Sequence, residues 1–486
     1  MGLSSLNRNK NRKQNLLSMV KIKSLAIACL VLLLASCKNS KQPPLPNVLI
    51  LYADDLGWSD LGCYGSTKNE TPHLDNLASE GLRFTRAYAP APICSASRAS
   101  ILTGKSPARL NFEFVSTNGR ITGKPLLPPK RTFELPLEEI TLGEIAQNAG
   151  YRTAFYGKWH VAEHNGGYLK CSDTHGPFQQ GFEAGSDHYG SHPYNEKNRE
   201  MVYLPEGTFP EDSLVLKAIN FLKVQKNRNQ PFLMIFSSYY VHTPVIPNNS
   251  WLIEKYQKRL PDATENEIKY AAFVETLDYH YGQLLKALKD FGLEDNTLVI
   301  FTSDNGGHPA YSDNAPLHGN KWNLYEGGIR EPFIVNWSGN SNMQTGECSM
   351  PVIQWDILPT LCELTGQPVP TKVEGKSLFP LLVGHPSEFS REAIYWHFPY
   401  YHPPKSYEGT KPCSAILNGH DKLIYFYEDE RLELYNLKND PGEKSDLAGE
   451  KPEFAAQMKE ALMESLDEAD ARFPLPNPGY VGNEKE

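Results

Sequence analysis

The chain has no CxxC pair, no clustered lysines and arginines beyond its leader, no internal repeat and no low-complexity tract. The first absence leaves its eight cysteines without zinc-type spacing and excludes a structural zinc module. The second, with a net charge of −9, argues against a nucleic-acid partner while leaving room for a local cationic pocket. The absence of repeats excludes a solenoid. The apolar run Leu25 to Ala35 falls short of the roughly 20 residues that span a bilayer.

What is present fits an ordinary globular protein. With 486 residues, 40% of them hydrophobic and 22% charged, the chain is long enough for two or more domains around a large core. A cationic leader (Arg8, Lys10, Arg12, Lys13, Lys21, Lys23) precedes that apolar run, and Leu34-Ala35-Ser36-Cys37 follows it. This order reads as an export signal and resembles a bacterial lipobox. Residues 1–36 are then a lipoprotein signal peptide, Cys37 the lipidated mature N-terminus and 37–45 a tether. The alternative is an ordinary signal peptide with an incidental cysteine. The expected location is periplasmic or outer-membrane-anchored in a Gram-negative bacterium, where the remaining cysteines could form a disulfide or two.

From Pro46 onward, strand and helix patterns alternate. The run Val48 to Tyr52 reads as a buried strand ending in Asp54 and Asp55. Pro72 and Gly81 bracket a helix, and Thr141 with Glu144 forms a capping box for another. Further strands are read in "YRTAFYGKWH", in "PFLMIFSSYYVHTP" running into His242, in "NTLVIFTSDNGG" ending in Asp304 and Asn305, and in "PFIVNWSG", with a long helix over 265–290. This alternation predicts an α/β fold built on a large, mostly parallel sheet flanked by helices. Residues 46–382 would form this catalytic domain, and 383–486 a smaller α+β unit of antiparallel strands and a helix. The stretch from Pro474 to the end reads as loosely ordered.

In such sheets ligands bind outside the carboxyl ends of the strands. Asp54-Asp55, Lys158, His160, His242 and Asp304-Asn305 all follow predicted strands. Two pairs of oxygen donors suit Ca²⁺, with Mg²⁺ as the alternative; each pair alone reads as a turn or cap. Cys94 and Arg98 stand four apart on one helix face, where an arginine would lower the thiol pKa or hold an anion. Lys321, near a Gly-Gly turn, is a further anion clamp. Together these groups suit displacement at an anionic centre.

The segment "CSASRASILTGK" resembles the sulfatase signature, and "VLILYADDLGWSDLGCYG", "TAFYGKWH", "TLVIFTSDNGG", "LHGNKWNLYEGGIREP" and "ELYNLKNDPGEKSDLA" follow in sulfatase order. The resemblance implies an alkaline-phosphatase-like fold and a sulfuric ester hydrolase. It implies that a maturing enzyme converts Cys94 to formylglycine. One hydroxyl of the hydrated aldehyde would attack sulfur, and the other would expel sulfate. It further implies that Asp54, Asp55, Asp304 and Asn305 bind Ca²⁺ together with residue 94. Arg98 and Lys158 would stabilise the hydrate, His160 would serve the elimination, and His242 and Lys321 would hold sulfate oxygens and assist the leaving oxygen. Ala96 stands where proline is common in the signature, and Val161-Ala162 where Leu-Gly is usual.

The alcohol is less legible. His192, with Ser191, in "YGSHPYN" and His397 in the aromatic "YWHFPYYHPP" are candidate substrate contacts; loop and packing roles fit them as well. A sulfated galactose or N-acetylgalactosamine glycan is expected by analogy. A phosphate or phosphonate monoester hydrolase on the same fold is the nearest alternative, although a dizinc site needs ligands that Asp304-Asn305 does not supply. A glycan-binding lipoprotein with unmodified Cys94 is the alternative from another class.

Overall fold

The first strand, Asn47–Ala53, is apolar at nearly every position because both its faces are covered. Val48, Ile50 and Tyr52 enter one core with the helices Cys94–Thr103, Leu142–Asn148 and Ile357–Thr365. Leu49, Leu51 and Ala53 enter a second core with Pro72–Glu80, Ser213–Gln225 and Glu265–Asp290. Alternation of side chains along a strand makes this two-sided burial possible. The computed structural model describes residues 45–115, 123–130, 132–162, 173–186, 201–402 and 409–480. Leu45–Glu486 cluster as one compact unit, and among the described residues no helix is long and apolar enough to cross a membrane.

The main sheet has nine strands. Its order runs Val352–Ile353, Leu82–Tyr88, Arg330–Asn336, Thr297–Ser303, Asn47–Ala53, Phe232–Ser237, Arg152–Gly157, Ala184–Ser186, with Gly346–Cys348 also paired to Leu82–Tyr88. The four strands from Thr297–Ser303 to Arg152–Gly157 are mutually parallel. Arg330–Asn336 runs antiparallel to both its neighbours. It follows Thr297–Ser303 after only the four-residue helix Glu326–Ile329, so no crossover helix restores a parallel course.

Register, more than the strand pattern, builds the site. Ala53 pairs with Ser303, Tyr52 with Ser237, and Gly157 with Ser237. The residues that follow, Asp54, Asp304 and Lys158, therefore emerge side by side. Gly157 has φ +106°, and a Cβ there would lie 2.0 Å from the Ser237 carbonyl oxygen. Only glycine allows that approach.

Four antiparallel strands, Ala393–Phe398, Cys413–Asn418, Asp421–Phe426 and Leu432–Asn436, form a second sheet. One face packs on Ile93, Cys94 and Ala96; the other holds Met458, Leu462 and Leu466 of the helix Pro452–Glu468. Lys422, fully buried in this sheet, bonds Glu326 at 3.0 Å and Glu443 at 2.8 Å. Lys422→Ala would leave two buried carboxylates facing each other. It should cost about 3–5 kcal/mol, read as a lowered unfolding midpoint in denaturant.

Two expectations are corrected. Cys63, Cys94, Cys348, Cys362 and Cys413 are all free, so no disulfide forms among the described cysteines; Cys171 lies outside the described residues. Within the tail expected to be loose, Leu475–Pro476 pairs antiparallel with Leu126–Leu127, because these residues continue beyond the last helix onto an open strand edge.

Candidate active site

Cys94 opens the helix Cys94–Thr103, which follows two prolines and ends where Gly104 takes φ +70°. Its side chain is buried, and its sulfur lies with carboxylate oxygens of Asp54 and Asp304, all within 4.8 Å of one another. Asp54, Asp55 and His242 form an overlapping group. Residues far apart in sequence thus meet at one sheet edge, as their strand-end positions predict.

Each carboxylate has its own cation. The Arg98 guanidinium donates to Asp304 Oδ2 through Nε (3.0 Å) and Nη2 (2.7 Å). Its Nη1 donates to the Lys158 carbonyl at 2.8 Å and to Ser237 Oγ. Lys158 Nζ donates to both Asp54 oxygens, at 2.9 and 2.7 Å. Lys321 Nζ donates to Asp55 Oδ2 at 2.6 Å. His242 Nδ1 meets the Thr243 carbonyl at 2.7 Å, so Nε2, 3.6 Å from Asp55 Oδ2, is the atom turned to the site.

Burial sets the proton affinities. It pushes Asp304 up to about 6, with Asp54 adding to the effect. Asp55 feels the same burial, but Lys321, His242 and Lys158 outweigh it and hold the carboxyl below its ordinary range. Burial, then Lys321, drives His242 well below its usual pKa, so its imidazole is neutral near pH 7. Burial raises the Cys94 thiol despite Lys158 and Lys321. This corrects the expectation that Arg98 would activate a thiolate: its guanidinium is engaged by Asp304, Lys158 and Ser237.

The donor set fits a hard divalent cation. Asn305 Nδ2 donates to Asp55 Oδ1 (2.8 Å) and the Gly306 carbonyl (3.0 Å). Its Oδ1 is buried without a hydrogen-bond partner, as a carbonyl reserved for a metal would be. Asp54, Asp55 and Asp304 supply the remaining oxygens.

Asp55 (φ +62°) and His160 (φ +61°) are held in the left-handed region, an uncommon conformation that clusters at functional sites. The strand stops at Gly157 and the chain turns through His160, so the turn and not the strand's period of two sets where Lys158 and His160 point. His160 itself is buried.

Of the expected substrate contacts His192 and His397, only the second can be placed. His192 and Ser191 lie outside the described residues. His397 sits inside the second sheet, with Nδ1 2.6 Å from Ser414 Oγ and Nε2 3.0 Å from the Arg472 carbonyl, among the rings of Tyr427 and Phe473. Both ring nitrogens are engaged within the protein, so the packed-strand reading holds in place of a substrate contact. Sequence reasoning missed Ser237, which accepts from Arg98 and donates to the Lys158 carbonyl at 2.7 Å. Its signal was a polar residue closing an apolar strand.

Residues 46–367 match the family described as Sulfatase, and 318–471 match N-sulphoglucosamine sulphohydrolase, C-terminal. The chain belongs to the sulfatase family. It is similar to a sulfatase of Formosa agariphila, 30% identical over 86% of this chain and 88% of that one. It is also similar to human N-acetylgalactosamine-6-sulfatase, 31% identical over 71% of this chain and 67% of the relative. A crystal structure of Ps i-CgsB in complex with k-i-k-neocarrahexaose shares the fold, with TM-score 0.71 and 24% identity over 87% of this chain and 92% of that one. As a sulfatase the protein is a sulfuric ester hydrolase, and the family matches together span both sheets.

Proposed function

We propose that the protein hydrolyses sulfate esters of a carbohydrate, of galactose or N-acetylgalactosamine type, with Cys94 matured to formylglycine and Ca²⁺ held by Asp54, Asp55, Asp304 and Asn305. The observation that carries this reading is the meeting of Cys94, three carboxylates and three buried cations at one sheet edge. The raised thiol pKa supports it too, since a protonated thiol is a poor nucleophile. The similarity to an N-acetylgalactosamine-6-sulfatase supports the sugar class.

The aldehyde, once hydrated by water to a geminal diol, would supply the attacking hydroxyl and a second hydroxyl whose deprotonation releases sulfate and restores the aldehyde; the cation would supply positive charge for the sulfate oxygens. The chain's own groups do the rest. Arg98 fixes Asp304, and the carboxyl at 304 is placed to take a proton from the group at position 94. Lys158 and Lys321 add positive charge where sulfate oxygens must sit. His242 Nε2 and Lys321 Nζ stand together on Asp55 and assist the leaving oxygen. His160 serves the step that frees sulfate. His242→Ala and Lys321→Ala should each lower kcat by about 10²–10³-fold, measured as sulfate release.

Lipidation at Cys37, export to the periplasm or outer membrane, and maturation by a partner enzyme complete the proposal; they rest on the leader and on the signature around Cys94. The deciding experiment supplies matured protein and calcium with defined sulfated mono- and disaccharides, and with matched aryl sulfate and phosphate esters. Release of sulfate from a galactose-type sugar is expected; preference for the phosphate ester would overturn the assignment. Chelation should abolish turnover and lower the melting temperature, and added Ca²⁺ should restore both, because a ligand bound only by the folded state stabilises it.

A further inference from the structure

The buried cations account for sulfate and leave open what reads the alcohol. The residue after Lys321 is Trp322, whose N–H donates to the Pro92 carbonyl at 2.8 Å, two positions before Cys94. The Lys321 N–H donates to the Gly307 carbonyl at 3.2 Å. These backbone bonds anchor the main chain at Lys321 and Trp322 between the segment bearing residue 94 and the segment bearing Asp304 and Asn305. Lys321 Nζ lies 5.4 Å from the ring centre. Trp322 holds φ +77°, a conformation that a bulky side chain adopts only when its surroundings enforce it.

One surrounding group comes from the second sheet's side of the molecule. His402 stacks on the Trp322 ring at 3.9 Å with planes 6° apart. It is tied down by paired hydrogen bonds with Thr410, at 3.0 and 2.8 Å. His308, just past the Asp304-Asn305 turn, meets the indole edge-on at 5.2 Å and 77°. These three rings are only half-buried, unlike the enclosed Arg98, Lys158 and Lys321.

We infer that Trp322 and His402, with His308 at the indole's edge, form the subsite that receives the sugar ring of the ester beside Lys321. His402 covers one face of the indole, so the apolar surface offered to the C–H groups of a pyranose is the half-buried edge of the Trp322–His402 stack. The His402 imidazole carries a donor and an acceptor, the complement a sugar hydroxyl needs; His308 Nδ1 accepts from the Ala310 N–H at 3.1 Å, so His308 contributes its Nε2–H as a donor. The aromatic segment Tyr395 to Pro404 thus divides between two tasks: His397 packs the second sheet, and His402 reaches the site. Discrimination among alcohols falls to these rings, while the buried cations and carboxylates treat all sulfate esters alike.

The inference rests on the carbohydrate reading above, and the test separates the two. Matured, calcium-loaded wild type, His402→Ala, Trp322→Ala and Trp322→Phe would be assayed on 4-methylumbelliferyl sulfate and on sulfated mono- and disaccharides, with a melting curve for each. For the best saccharide, kcat/KM should fall at least tenfold in His402→Ala and Trp322→Ala, mainly through KM. The saccharide-over-aryl ratio should fall with it, and Trp322→Phe should recover part of the loss. Equal losses on both substrates, or unchanged saccharide turnover in His402→Ala, would overturn the subsite while leaving the carbohydrate reading standing. A wild type that cleaves the aryl ester and no saccharide would defeat the carbohydrate reading and this inference with it.

Discussion

Cys94→Ala should lower sulfate release by about 10⁵–10⁶-fold, the scale on which removal of a catalytic nucleophile acts. The substitution removes one buried sulfur from the first turn of a helix, so the melting temperature should stay close to that of the parent. Protein recovered from a maturing host should also lose the mass signature of an aldehyde at this position. Retention of activity within tenfold of the parent would show that residue 94 is not the nucleophile.

Arg98→Ala should damage both fold and chemistry. Arg98 is enclosed, touches Asp304 with two nitrogens, and braces the Lys158 carbonyl and Ser237 through a third. Without it Asp304 is buried with Asp54 close by and its cation gone. Breaking one side of such a pair costs about 3–5 kcal/mol. Activity should fall by at least about 10³-fold, since Asp304 loses its orientation and the site one charge. Arg98→Lys is the sharper variant: a single ammonium cannot reproduce contacts to Asp304, Ser237 and a carbonyl at once. Parental stability and rate in that variant would refute the bracing role.

Much of this site was readable because its carboxylates and Lys158 follow strands whose apolar runs are unmistakable. Asp54, Asp304 and Lys158 sit directly beyond Ala53, Ser303 and Gly157, and strands buried on both faces leave no other edge for polar pairs. The helices were legible for local reasons as well: the Thr141–Glu144 capping box is formed, and the long helix spans Glu265–Asp290. The misreadings have physical causes. Arg98 was matched to Cys94 by helix spacing, but a buried guanidinium goes to the nearest buried carboxylate, and that carboxylate comes from position 304. His397 was weighed by its aromatic company, which exists because the strand Ala393–Phe398 is packed between two layers.

Sequence by itself determined the alternating strands and helices, the strand-end placement of the charged residues and the membership in a family, because hydrophobic period, caps and ordered motifs are local properties of the chain. Tertiary structure alone decided which cation faces which carboxylate, that burial outweighs Lys158 and Lys321 at the Cys94 thiol and raises its pKa, and that His402 stacks on Trp322. Those outcomes depend on sheet register, burial and the fit of segments hundreds of residues apart, none of which any short stretch encodes.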